Sequence, residues 1–107
     1  MEAQTIIKGD DTFFNDTDYL GAIELITNYN MIGWRAEMKL QDATISFNDL
    51  ASKRIQPRFT KGQTAEMRNG KFKATLKIYD PNNNLRTVFT DLPYYITSSV
   101  AGEYVNE

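Results

Sequence analysis

The stretch GWRAEMKLQD, residues 33–42, decides how this chain folds. Its composition favours a helix, because Ala, Glu, Met, Lys, Leu and Gln are all good helix formers. Its order favours a strand, because Trp34, Ala36, Met38 and Leu40 alternate with Arg35, Glu37, Lys39 and Gln41. At about 100° per residue the four apolar side chains scatter to opposite sides of a helix, whereas at about 180° they share one face. Burying one such side chain stabilises by about 1.5–3 kcal/mol, well above the few tenths by which these residues differ in helix preference. Pattern outranks propensity, so residues 33–41 are predicted to be a strand. Trp34, Met38 and Leu40 then belong to the core. Arg35, Glu37 and Lys39 face the other way and form a candidate interface.

A second stretch, TAEMRNGKFKATLKIY (64–79), contains Asn69-Gly70, the favoured pair for a two-residue type I′ hairpin turn. The implied register pairs Arg68 with Lys71, Met67 with Phe72, Glu66 with Lys73 and Ala65 with Ala74. Met67, Phe72, Leu76 and Ile78 become core candidates. Lys71, Lys73 and Lys77 fall on the opposite face, which is either solvated or turned toward an acidic partner.

Elsewhere, Thr5 to Lys8, Thr12 to Phe14, Tyr19 to Thr27, Thr44 to Phe47, Leu85 to Thr90 and Tyr94 to Val100 read as strands. Asp80 to Asn84 is a loop of turn formers, and Asp91-Leu92-Pro93 is expected to break the strand before it. Asn48 to Arg54 reads as a short helix with Asn48 as its cap, and Pro57 limits Ile55 to Phe59 to an edge strand. Short strands between turn signals, without a long helix, indicate an all-β fold: one small antiparallel β-sandwich or barrel spanning residues 1–107.

The composition, 41% hydrophobic and 24% charged, is that of a globular domain rather than a disordered chain. No stretch approaches the roughly 18 apolar residues of a membrane span, and the first residues lack the pattern of a signal peptide. The chain has neither cysteine nor histidine, which removes thiol nucleophiles, histidine bases and zinc sites from consideration and mildly favours a reducing site of synthesis. Charge is uneven along the chain. Residues 1–52 hold nine acids and three bases, and residues 53–77 hold eight bases and one acid. Such a domain can meet copies of itself head to tail, although strands that interleave in space would mix these charges.

The acidic loop GDDTFFNDTD offers Asp10, Asp11, Asn15, Asp16 and Asp18 as oxygen ligands, but the spacing is not that of an EF-hand and suits an exposed loop. No carboxylate pair stands out as catalytic, so no enzyme activity and no cofactor are expected. The basic segment with Phe59 and Phe72 has the ingredients for binding single-stranded nucleic acid, yet Phe72 falls on the face opposite the lysines. The pairs Phe13-Phe14 and Tyr94-Tyr95 each put one aromatic on each face, and Tyr95 joins the candidate interface. An exposed aromatic would also suit a carbohydrate- or receptor-binding sandwich.

Several features taken together resemble a family. They are Lys8-Gly9-Asp10, the step from Gly33-Trp34 into a charged alternating strand, the Asn69-Gly70 turn, the loop Asp80 to Asn84, and the final strand Ile96 to Val100. The order resembles the small immunoglobulin-like β-sandwich modules of tailed-phage and prophage structural proteins, such as the N-terminal domains of baseplate upper proteins. The chain departs from that pattern with Met31-Ile32 in place of Leu-Thr, and with Asn84 where a glycine often closes the loop. The resemblance implies a non-enzymatic role in a virion made in a bacterial host's cytoplasm. It also implies contacts with fibre, baseplate or tail proteins, and assembly as a homo-oligomer.

Overall fold

The structure, a computed structural model, describes residues 3–14 and 17–98. In chain order its elements are β1 (Gln4–Ile7), β2 (Phe13–Phe14), β3 (Thr17–Asp18), β4 (Ile23–Glu24), β5 (Arg35–Leu40), β6 (Ala43–Phe47), β7 (Arg54–Ile55), α1 (Lys61–Ala65), β8 (Gly70–Tyr79) and β9 (Leu85–Thr97). The fold is all-β apart from the five-residue helix. Among the described residues no helix is long and apolar enough to cross a membrane.

Five strands form the main sheet in the order β1-β9-β8-β5-β6, and β2–β3 and β4–β7 form two small ladders. Every pair is antiparallel except β1 with β9, which is parallel from Gln4 opposite Tyr94 to Ile7 opposite Thr97. A parallel pair needs a long crossover, and here most of the domain lies between the two strands. The deciding stretch is a strand, trimmed at both ends by backbone geometry. Gly33 has φ +86°, a conformation open to glycine, and Gln41 at φ +54° begins the turn into β6.

The inner face of the sheet carries Ala36, Met38 and Leu40 from β5, Ala74, Leu76 and Ile78 from β8, and Leu92, Tyr94 and Ile96 from β9, all buried. Leu20, Met31, Leu50, Ile55, Phe59 and Met67, from the connecting segments, complete the same cluster. These segments are tied down by polar contacts as well. Thr12 and Phe59 exchange bonds: the Phe59 N–H donates to Thr12 Oγ1 at 2.8 Å, and the Thr12 N–H donates to the Phe59 carbonyl at 2.9 Å. The buried Thr64 hydroxyl donates to the Asp10 carbonyl at 2.8 Å and accepts from the Gly9 N–H at 3.0 Å. The result is a small sandwich-like domain with one core.

Several local expectations are overturned. No hairpin turns at Asn69-Gly70: Gly70 has φ +127°, Asn69 is not among the positive-φ residues, and residues 61–65 are helical. The helix is set by a capping box in which the Gln63 N–H donates to Thr60 Oγ1 at 3.3 Å and the Thr60 N–H donates to Gln63 Oε1 at 3.0 Å. Met67 is buried all the same, but Phe72 pairs with Tyr94. The Gln41 side chain holds the backbone of Arg68, accepting from its N–H at 2.7 Å and donating to its carbonyl at 2.9 Å.

The short helix expected at 48–54 is absent. The Ala51 N–H bonds to Asp49 Oδ1 at 3.0 Å, an Asx turn, and Arg54–Ile55 then pairs with Ile23–Glu24. Only Ile23–Glu24 of the stretch 19–27 is a strand. Pro93 does not break β9, which runs through it for 13 residues with register shifts between Ala74 and Leu76 and between Ile78 and Tyr79 of its partner. Pro93 lies where pairing with β1 stops, so its missing N–H is tolerated. Asn15, Asp16 and residues 99–100 of the expected last strand lie outside the described residues.

Candidate interaction site

Two adjoining surfaces meet along β9. The first is the outer face of the main sheet. Alternation puts Arg35, Glu37 and Lys39 of β5 on this face, opposite Tyr79, Lys77 and Thr75 of β8. Lys71 pairs with Tyr95, Lys73 with Pro93, and Lys77 with Val88. The seven residues singled out as a candidate interface therefore share one face. Lys39, Lys71, Lys73, Lys77 and Tyr95 are exposed, and Arg35 and Glu37 are half-buried.

The contacts on this face are unequal. Arg35 is fixed: its guanidinium lies 4.0 Å from the centre of the Tyr79 ring, 3.3 Å from Glu37 Oε2, and 2.6 Å from Asn83 Oδ1. Lys73 reaches Asp91 at 3.4 Å, an exposed pair of little energetic worth. Among the described residues Lys39, Lys71 and Lys77 make no ion pair. Among these described residues, five cations on this face meet two carboxylates, Glu37 and Asp91, an electropositive balance.

The rest of the basic segment is spent differently. Arg58 forms a two-point pair with Asp18 at 2.7 and 3.0 Å, and Arg54 meets Glu24 at 3.3 Å. Lys53 Nζ donates to the Thr27 carbonyl at 3.0 Å. Acids of the N-terminal half and bases of the middle mix on the cover of the sheet, as interleaving strands would make them. Among the described residues an excess of positive charge remains on the outer face.

The second surface lies on the inner side, at the far end of the β8–β9 hairpin. A groove of about 520 Å³ opens there, with Trp34, Leu76 and Ile78 at its base. Phe89 and Leu92 of β9 line one side, and Leu25, Ile26 and Tyr29 the other. Ile26 is 99% exposed, Tyr29 59% and Phe89 43%, so the groove walls are apolar surface left in water. The Tyr29 and Trp34 rings stack with centroids 5.8 Å apart, and the Arg86 guanidinium lies 5.9 and 5.6 Å from them.

Arg86 is anchored by Asp80, whose Oδ2 is 3.4 Å from Nη1. Asp80 also accepts the N–H groups of Asn82 and Asn84, both at 2.9 Å. The Asn84 N–H chiefly, with Arg86 and the Asn82 N–H, holds the Asp80 carboxyl below its ordinary value of 3.8 against the opposing effect of burial. At the covered end of β9, burial pushes the Tyr94 hydroxyl up to about 12.

The edge of β9 links the two surfaces. β1 pairs only with Tyr94 to Thr97, so from Leu85 to Leu92 the strand has β8 on one side and, among the described residues, no strand on the other. Leu85 and Val88 are exposed along this edge. Pairing with Lys77 and Leu76 puts Val88 and Phe89 on opposite faces of the sheet, and nothing in the sequence marks the edge they share as open. Tyr29, Ile26 and Arg86 carry no signal in isolation, because the groove is made by two segments, 23–34 and 76–92, that are distant in the chain. Among the described residues no group of three or more acids gathers as a cation site would require, and Asp11 and Asp18 serve the Lys61 N–H and Arg58. Compared with protein families, characterised proteins and solved structures, the chain gives no significant match.

Proposed function

We propose that this chain is a non-enzymatic assembly module of a phage or prophage virion, part of a tail, baseplate or fibre attachment, and that it works by protein–protein contact. The observation that supports this most is the open end of the hairpin. Leu85, Val88 and Phe89 sit on a strand edge that has no neighbouring strand among the described residues, beside a groove lined by Ile26 and Tyr29. Exposed strand edges and contiguous apolar patches are features that free-standing domains avoid and interacting domains keep. The electropositive outer face adds the sign expected of the partner, which is acidic. The virion setting and the homo-oligomer rest on the sequence resemblance.

A carbohydrate-binding reading has less support. The groove's polar side chains are few, and Arg86 is already engaged by Asp80. A nucleic-acid role has the lysines and Tyr95 in its favour, and Glu37, Asp91 and a net charge of −2 against it.

The test is size-exclusion chromatography of the purified protein with the tail, baseplate and fibre proteins encoded beside it. A complex is expected with at least one of them, and the variant Val88→Glu/Phe89→Glu should lose it while keeping its circular dichroism. A monomer that joins none of these proteins refutes the reading.

A further inference from the structure

We infer that the free edge of β9 and the groove beneath it take up an extended peptide segment whose side chains alternate between apolar and acidic. The inference rests on the protein-contact reading above and names the chemistry of the partner. Three observations converge on it. First, the backbone of Leu85 to Leu92 has no strand on its outer edge among the described residues, and an added strand is the arrangement that pairs such an edge. Second, a strand laid there sends every other side chain inward, beside Phe89 and Leu92 and over Trp34, where apolar groups fit. Third, its remaining side chains point to the outer face. Lys77, directly opposite Val88 and in no ion pair among the described residues, and Lys73, opposite Pro93 and already 3.4 Å from Asp91, lie one strand further in. That places them about 10 Å from the added backbone, about one Debye length at about 0.1 M salt, and their side chains shorten the gap. Charge complementarity then calls for carboxylates at the outward positions.

The register shifts in β9 limit the contact. They fall at the steps from Phe89 to Leu92 and from Leu85 to Thr87, so regular pairing is confined to Thr87 to Phe89. Bulges of this kind protect an edge against indiscriminate pairing. Specificity therefore falls to the groove and to the lysines rather than to a long ladder of backbone bonds.

Trp34 is the single tryptophan and lines the groove, so its fluorescence reports occupancy. The full chain is titrated with a capped heptapeptide alternating valine and glutamate. A saturable change is expected, weakened about tenfold or more when glutamate is replaced by lysine, when alternate peptide nitrogens on the pairing edge are methylated, or when the protein carries Phe89→Lys. Added salt should weaken it as well. Binding of the lysine peptide as tight as that of the glutamate peptide, or indifference to N-methylation, overturns the inference. So does silence with every peptide. A dimer of the chain that excludes the peptide assigns the edge to a second copy and overturns it too. If the peptides fail while a virion protein still binds through Val88 and Phe89, only this inference falls. If both fail, the protein-contact reading falls with it.

Discussion

The two ends of the β8–β9 hairpin are built from the same strands and meet opposite fates. At one end β9 is flanked on both sides, by β1 and β8, and its inward residues Tyr94 and Ile96 are buried against Ile6 and the rest of the core. At the other end β9 has one neighbouring strand among the described residues, and Leu85, Val88 and Phe89 are each about half exposed. The covered end gains its stability from burial. The open end is held by β8 and by the polar loop at Asp80. One hairpin thus serves as scaffold at one end and as contact surface at the other. The largest test of that division is at Trp34, which closes the core beneath the groove. Trp34→Ala should cost about 3–5 kcal/mol, read by circular dichroism in denaturant. Ile96→Ala, at the covered end, should cost about 2–5 kcal/mol. A loss under 1 kcal/mol at Ile96 would mean that the covered end is not the scaffold.

A middle-sized effect is expected at α1, which joins the cover to the start of β8. Thr60→Ala removes the cap acceptor and should cost about 1 kcal/mol in denaturant unfolding. An unchanged midpoint would show that packing of Thr64 and Met67, rather than the cap, holds this segment.

This helix also shows where the sequence was legible and where it was not. The strand Arg35–Leu40 could be read because one face is buried and the other is not, so the alternation is written into the side chains. α1 spans five residues, too few for a helical period. Its signal is Thr60 followed three residues later by Gln63, weaker than the hairpin signal of the nearby Asn69-Gly70 pair. The parallel pairing of β1 with β9 joins residues ninety positions apart and leaves no local trace. Arg35, Glu37 and Lys39 share one side of their strand by alternation, as do Lys71, Lys73 and Lys77 of theirs, but that the two sets and Tyr95 lie on one face of one sheet follows from the pairing of β5, β8 and β9. The groove could not be read at all, since it arises where a covering segment stops, and no residue marks where a neighbour is missing.

A smaller effect should separate the two ends directly. Phe89→Ser replaces an aromatic side chain on the strand that also carries Ile96, yet Phe89 is 43% exposed and faces the groove. Its cost to stability should stay below about 1 kcal/mol, while partner or peptide binding is lost. If Phe89→Ser destabilises as much as Ile96→Ala, the open end belongs to the core and the contrast between the ends disappears.

The smallest effect is expected in the acid limb of stability, and it concerns what holds the open end in place. Asp80 gathers the Asn82 and Asn84 N–H groups and Arg86, and Arg86 in turn lies over Trp34 and Tyr29. These donors hold its carboxyl below the ordinary 3.8 in the folded protein. A carboxyl with a depressed folded value contributes stability above its unfolded value and loses it as pH falls through the folded one. The wild-type protein should therefore lose stability progressively below about pH 4, and Trp34 emission should shift as Arg86 is released. Asp80→Asn keeps an acceptor oxygen for the loop but has no charge to titrate. That variant should be less stable than wild type near neutrality and show a shallower acid limb. Denaturant midpoints measured from about pH 7 to about pH 2 would check both effects. Identical acid limbs would show that the loop is held by its backbone turns alone, and that the open end does not depend on the Asp80–Arg86 contact for its shape.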